Sequence, residues 1–178
     1  WRLFEINSWE ILVNWNNIKD IKKSSLRKHI WIVMQDSSLF NTSILENMKY
    51  AKTNASLEEI ENALKKAKAD FVFKTEAWLE TLIWERWLKL SGWEKQRINI
   101  ARIMLKNPEI LILDEATSAL DNKTEIEIQQ SLDALMDGKT SIIIAHRLST
   151  IKKADRIFVL DNWEIVEVGN YEELLEKK

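Results

Sequence analysis

Apolar positions along the chain alternate between short continuous runs and helically spaced patterns, and each change marks an element. "EILVN" (10–14) alternates as a half-buried strand does. "SLRKHIWIVMQD" (25–36) reads as a helical turn leading into the buried strand "IWIVM", and the polar stretch after Gln35 reads as a loop. In "SLEEIENALKKAKA" (56–69) Ser56 is followed three residues later by Glu59, a capping box, and Ile60, Leu64 and Ala67 recur at helical spacing. Residues 75–90 have no clear period. They read as a loop ending at Ser91, which caps a helix predicted to run to about Lys106, before Asn107-Pro108 stops it. "EILILDE" (109–115) follows as a doubly buried strand, then a helix near Asn122 to Met136, the strand "TSIIIAH" (140–146) and a helical turn at 148–153. The strands "RIFVL" and "EIVEV" and a short helix, "YEELLEKK", close the chain. Strands alternating with helices predict an α/β domain with a mainly parallel sheet, whose ligands sit at the carboxyl ends of its strands.

Composition narrows the function classes. At 178 residues, 46% apolar and 30% charged, the chain is long enough for one domain with a substantial core. A net charge of −2 with interspersed signs offers no basic stripe, so no nucleic acid partner is expected. There is no cysteine, which excludes disulfides and thiolate metal sites within these residues. The longest apolar runs, "ILIL" and "SIIIA", fall far short of the roughly 20 residues a membrane helix needs.

The chemistry concentrates at strand ends. "ILILDE" places Asp114 and Glu115 at the carboxyl edge of the sheet, where a metal and a nucleophilic water are held in phosphoryl transfer. Acids in that position also serve simply as the polar boundary of a buried strand. "SALD" (118–121) follows at once, and "IIIAHRLS" (142–149) sets His146 at the end of the next strand, where an imidazole can contact a terminal phosphate. A lone histidine is more often structural; here acids, a polar turn and a histidine occur in an order that converges on one site.

These residues, together with "LSGWEKQR", resemble the ATP-binding domain of ABC transporters, and the resemblance covers essentially the whole chain. It implies a P-loop NTPase-like α/β fold with a helical subdomain carrying the signature motif, here about residues 43–106, between parts of the catalytic core at 1–42 and 107–178. Gln35 matches the Q-loop glutamine, which implies a place beside the catalytic groups and Mg²⁺ and a link to the membrane domain. Ser91, Gly92, Trp93 and Glu94 match signature residues that contact ATP. Asp114 matches the Walker B aspartate that serves Mg²⁺, Glu115 the catalytic glutamate that polarises water, Asp121 the D-loop aspartate and His146 the switch histidine that holds the γ-phosphate. "TLIWERW" (81–87) is similar to the "TEVGERG" segment of exporter-type members; outside that segment Glu85 and Arg86 would be only a solvated charge pair. The implied substrate and cofactor are ATP and Mg²⁺. The implied partners are the membrane domains of an exporter and a second ATPase domain in a head-to-tail dimer, at the cytoplasmic face of the cell membrane.

Two departures from the family pattern stand out. No "GxxxxGK[ST]" phosphate loop occurs in these residues; in the family it precedes the part matched here, so the chain is expected to be a fragment that neither binds ATP tightly nor hydrolyses it alone. The other departure is tryptophan. Where the family signature reads "LSGGQ", Trp93 replaces the second glycine, whose absent side chain lets helix N–H groups approach the γ-phosphate, and Glu94 replaces glutamine.

Most of the nine tryptophans follow one pattern. Trp9, Trp15, Trp31, Trp84, Trp87 and Trp163 stand where the family carries glycine, Trp78 fits a less regular glycine, and Trp1 is too near the edge to judge. "NG" between strands is a favoured turn because glycine accepts positive φ; "NW" is not. Indoles at positive φ or in tight turns are expected to cost a few kcal/mol each. Drift does not convert one residue type to one other repeatedly, so the expectation is a gene whose UGA codons mean glycine, translated as tryptophan. The three glycines and nine tryptophans together match the roughly 7% glycine of ordinary chains. The leading expectation is therefore the ATP-hydrolysing domain of an ABC exporter. The alternatives are a soluble ABC-type ATPase acting on DNA or ribosomes, and a non-catalytic remnant if the tryptophans are genuine.

Overall fold

The computed structural model describes residues 9–33, 38–83, 90–114, 122–145 and 148–176. They fall into two units, Trp1–Ile142 and Ile143–Lys178.

The first unit opens on a hairpin of β1 (Leu12–Val13) and β2 (Asn16–Asn17). Its turn, Asn14-Trp15, has φ of 48° and 65°. Positive φ at both central residues is the geometry that matches strand twist in two-residue hairpins and that glycine normally supplies. Helix α1 (Lys23–His29) then feeds β3 (Ile30–Val33), which pairs in parallel with β4 (Ile110–Asp114) in the register Ile30↔Ile110 through Val33↔Leu113. β5 (Thr140–Ile144), in which the chain passes to the second unit, completes the sheet order β3-β4-β5. Val33, Leu111 and Leu113 are buried, as the continuous apolar runs require.

Between β3 and β4 come α2 (Ile44–Ala51), α3 (Leu57–Lys66), two 3₁₀ turns at Asp70–Lys74 and Trp78–Glu80, and α4 (Gly92–Lys106). α2 forms within the polar stretch that the hydrophobic pattern marks as loop, because eight residues are too short to display repeating turns. Its cap is nonetheless written in the chain: Ser43 Oγ accepts from the N–H of Glu46, three residues on, at 3.2 Å. α3 begins at the predicted capping box, with Ser56 and Glu59 satisfying each other's backbone N–H groups at 2.9 and 3.1 Å. α4 ends where predicted. Asn107 turns left-handed at φ 50° and donates to the Ile103 carbonyl, and Pro108 cannot continue the helix.

α4 packs against α2, α3 and α5 (Asn122–Met136) through Ile98, Ala101, Ile103 and Leu105, with Ile44, Met48, Ile60, Leu64, Ile128 and Leu135 fully enclosed. Each such side chain contributes about 1.5–3 kcal/mol relative to exposure, which is why α4 is held along its length. In the second unit, α6 (Leu148–Ile151) precedes an antiparallel hairpin of β6 (Ile157–Asp161) and β7 (Glu164–Gly169), followed by α7 (Tyr171–Glu176). The hairpin turn, Asn162-Trp163, repeats the first one at φ 48° and 68°.

Candidate functional site

At the start of α4, Ser91 is the N-cap, and Glu94 completes a second capping box. Glu94 Oε2 accepts from the Ser91 N–H and from the Ser91 hydroxyl, both at 2.8 Å, while Ser91 Oγ accepts from the Glu94 N–H at 3.4 Å. Glu94, a departure from the family glutamine, thus supplies the stronger acceptor for the cap. The N–H groups of Gly92 and Trp93 in the first turn have no partner among the described residues. A 15-residue helix presents partial positive charge there, the electrostatic requirement for holding a phosphate oxygen.

Gly92 is exposed, its φ lies outside the left-handed region, and a Cβ there would meet nothing within 4 Å. No requirement internal to the chain therefore explains a glycine at this point. Trp93 is half-buried and helical, with no positive φ.

Asp114 is the last residue of β4, half-buried, and its carboxylate has no hydrogen bond or ion pair among the described residues. Because β3 and β4 are parallel and Val33 faces Leu113, the chain leaves for Gln35 and for Glu115 from one edge of the sheet. A half-buried carboxylate lacking a donor among the described residues suits Mg²⁺, which keeps most of its shell as water and substrate phosphate and takes one or two carboxylates from the protein. Among the described residues no group of three or more His, Asp or Glu forms a cage for a metal without such a substrate.

Of the candidate site residues, Ser91, Gly92, Trp93, Glu94 and Asp114 lie within the described residues. Gln35, Glu115, Asp121 and His146 lie outside them, as does the 84–89 part of the chain, which holds most of the "TLIWERW" segment. Arg102 is a residue that the sequence pattern does not single out. It is buried on α4 with its guanidinium against Phe40 and Tyr50, and no local pattern announces it, because its partners are some 50 to 60 residues away in sequence.

The tryptophans divide. Trp15, Trp78 and Trp163 have φ of 65°, 48° and 68°, the backbone of glycine, whereas Trp31 and Trp93 do not. The expected strain therefore falls on the first three. No helix of the described residues is long and apolar enough to cross a membrane.

A family profile described as ABC transporter matches residues 3–118. The chain is 49% identical to the heavy metal tolerance protein of Schizosaccharomyces pombe and 48% identical to ABC transporter B family member 4 of Dictyostelium discoideum. It is 47% identical to a Staphylococcus aureus protein that carries the name putative multidrug export ATP-binding/permease protein. Each match covers 99% of this chain but only 21%, 23% and 31% of the respective relative, so the chain spans between a fifth and a third of their length.

Proposed function

The chain belongs to the ABC transporter family, and on that footing we propose that it is the ATP-binding domain of an exporter, driving transport through ATP binding and hydrolysis. The observation that carries this reading is the half-buried carboxylate of Asp114, without a partner among the described residues, at the carboxyl edge of the parallel β3/β4 pair and followed directly in sequence by Glu115. Asp114 would hold Mg²⁺, which would supply charge neutralisation to the phosphates of ATP. Glu115 polarises the water that attacks the γ-phosphorus in line, accepting its proton as the bond to the leaving ADP oxygen breaks. His146 holds the γ-phosphate, and Gln35 senses its presence. Asp121 and the α4 N-terminus, Ser91 to Glu94, face the ATP of a second such domain. The partners in this reading are that second domain, in head-to-tail arrangement, and the membrane domains of the exporter, at the cytoplasmic membrane face. Residues 43–106 form the subdomain that presents the signature.

Glu115→Gln in the complete polypeptide, carrying the residues its own cells insert, tests the assignment. ATP binding persists while turnover falls by about 10²–10⁴-fold, the range for loss of a general base; hydrolysis retained at the parent rate overturns it. The 178 residues alone, which contain no phosphate loop, are expected to show neither tight nucleotide binding nor turnover.

We also infer that glycine is the native residue at the tryptophan positions. The support is the left-handed backbone at Trp15, Trp78 and Trp163. Nucleotide sequence decides it: UGA at these codons is expected, and UGG would refute it.

A further inference from the structure

Arg102 is a buried cation with no carboxylate partner among the described residues. Its charge is met in another way. The guanidinium carbon lies 5.4 Å from the centroid of Phe40 and 5.3 Å from that of Tyr50, and the two rings are themselves 4.5 Å apart and inclined at 52°. Nη1 donates to the Ser38 carbonyl and to Asn99 Oδ1, both at 3.4 Å, while Nε has no partner among the described residues. Burial lowers the guanidinium pKa from its ordinary value, with Tyr50 opposing the shift, yet arginine stays charged in proteins.

The segment it grips is held from the other side as well. Asn47 of α2, fully buried, accepts from the Phe40 N–H at 2.9 Å and donates to the carbonyls of Phe40 and Ser43, each at 3.0 Å. Residues 38–43 therefore lie clamped between α2 and α4, beginning three residues after Gln35. On the same helix, Arg102 follows Ser91–Glu94 by eight to eleven residues, about 12–17 Å at the helical rise. One helix thus carries Ser91–Glu94 at one end and holds Ser38 and Phe40 farther along.

We propose that Arg102 is a positioning residue that couples Gln35 to the signature: through Phe40, Tyr50 and Ser38 it fixes the segment after Gln35 to α4, so that both nucleotide-contacting elements keep one spacing during turnover. The proposal rests on the roles given above to Gln35 and Ser91. A planar, weakly hydrated guanidinium suits a site between two rings; an ammonium, which needs three hydrogen bonds and close hydration, does not. A role confined to stability makes a different demand, since replacing buried charged groups by apolar side chains of similar volume is often neutral or stabilising.

The experiment measures ATPase kinetics and thermal midpoint of Arg102→Met, Arg102→Lys and Tyr50→Leu in the complete membrane-embedded polypeptide, beside Glu115→Gln. Arg102→Met is expected to keep its midpoint and its KM for ATP within about two-fold while kcat falls about ten-fold, the scale of the cation–π attraction that the substitution removes. Arg102→Lys does not restore kcat. Tyr50→Leu, at a position 65% exposed, folds normally and lowers kcat about three-fold, so it decides the matter should Arg102→Met not fold. Parent-like kcat in a folded Arg102→Met, or in Tyr50→Leu, beside an inactive Glu115→Gln overturns this proposal alone. Hydrolysis retained by Glu115→Gln removes the functional reading and this proposal with it.

Discussion

The two hairpin turns and the start of α4 carry the same apparent substitution, and they differ in why glycine belongs there. At Asn14-Trp15 and Asn162-Trp163 the backbone is left-handed at both residues, and the indoles are 92% and 99% exposed. Nothing is packed against them that would offset the strain; the strands on either side impose the turn whatever residue occupies it. At Gly92-Trp93 the backbone is ordinary helix, capped by Ser91 and Glu94, and an added Cβ at 92 would meet nothing. In the hairpins glycine is required by the fold. On α4 the fold makes no such demand, and the proposed function supplies one in the ATP of a second domain.

The largest effect that can break this comparison is functional. In the complete polypeptide carrying Trp93 as written and glycine at the other tryptophan positions, Trp93→Gly is expected to raise ATP turnover about a hundred-fold, the scale of regaining preorganised N–H donors on a transferring group. Its folding stability should change little or fall by about 0.5–1 kcal/mol, because glycine within a helix is unfavourable. If Trp93→Gly stabilised the fold and left turnover alone, the two regions would be alike after all. Next in size, Trp163→Gly and Trp15→Gly are each expected to raise unfolding free energy by about 1–2 kcal/mol, the cost of a left-handed conformation for a residue with a Cβ.

The smallest effect concerns a cap with no nucleotide role. Glu59 of α3 takes a hydrogen bond from Lys52 and from the Ser56 N–H, and these hold its carboxyl below the ordinary 4.5, against a small opposing effect of burial. A carboxylate depressed in the folded state contributes stability that is complete above 4.5 and disappears as pH falls through the lower folded value. Glu59→Gln should therefore be slightly less stable than the parent at pH 7, and the gap should close below pH 4; a gap that widens in acid contradicts the assignment.

What can be read from the sequence is what is encoded locally. The caps at Ser56 and Ser91, the stop at Asn107-Pro108 and the two "NW" turns each depend on residues within four positions of one another, and each has its predicted form. α2 is legible only through the Ser43 and Glu46 spacing, since eight residues give too few turns to display a period. Arg102 is not legible at all. Its meaning depends on Phe40, Tyr50 and Ser38, which a helical spacing rule never compares with it. Of the candidate site, Asp114 can be placed because a continuous apolar run fixes where a buried strand ends. Glu115, Gln35, Asp121 and His146 take their roles from family resemblance, and they fall outside the described residues.

The left-handed tryptophans have a spectroscopic consequence. If the inference drawn from Trp15, Trp78 and Trp163 extends to all nine tryptophans, this stretch of the native polypeptide contains no indole whatever, and its near-ultraviolet absorption comes from two tyrosines and five phenylalanines. Peptides released from the protein of its own cells would then be lighter, at every one of those positions, by the indolylmethyl group that the written sequence adds.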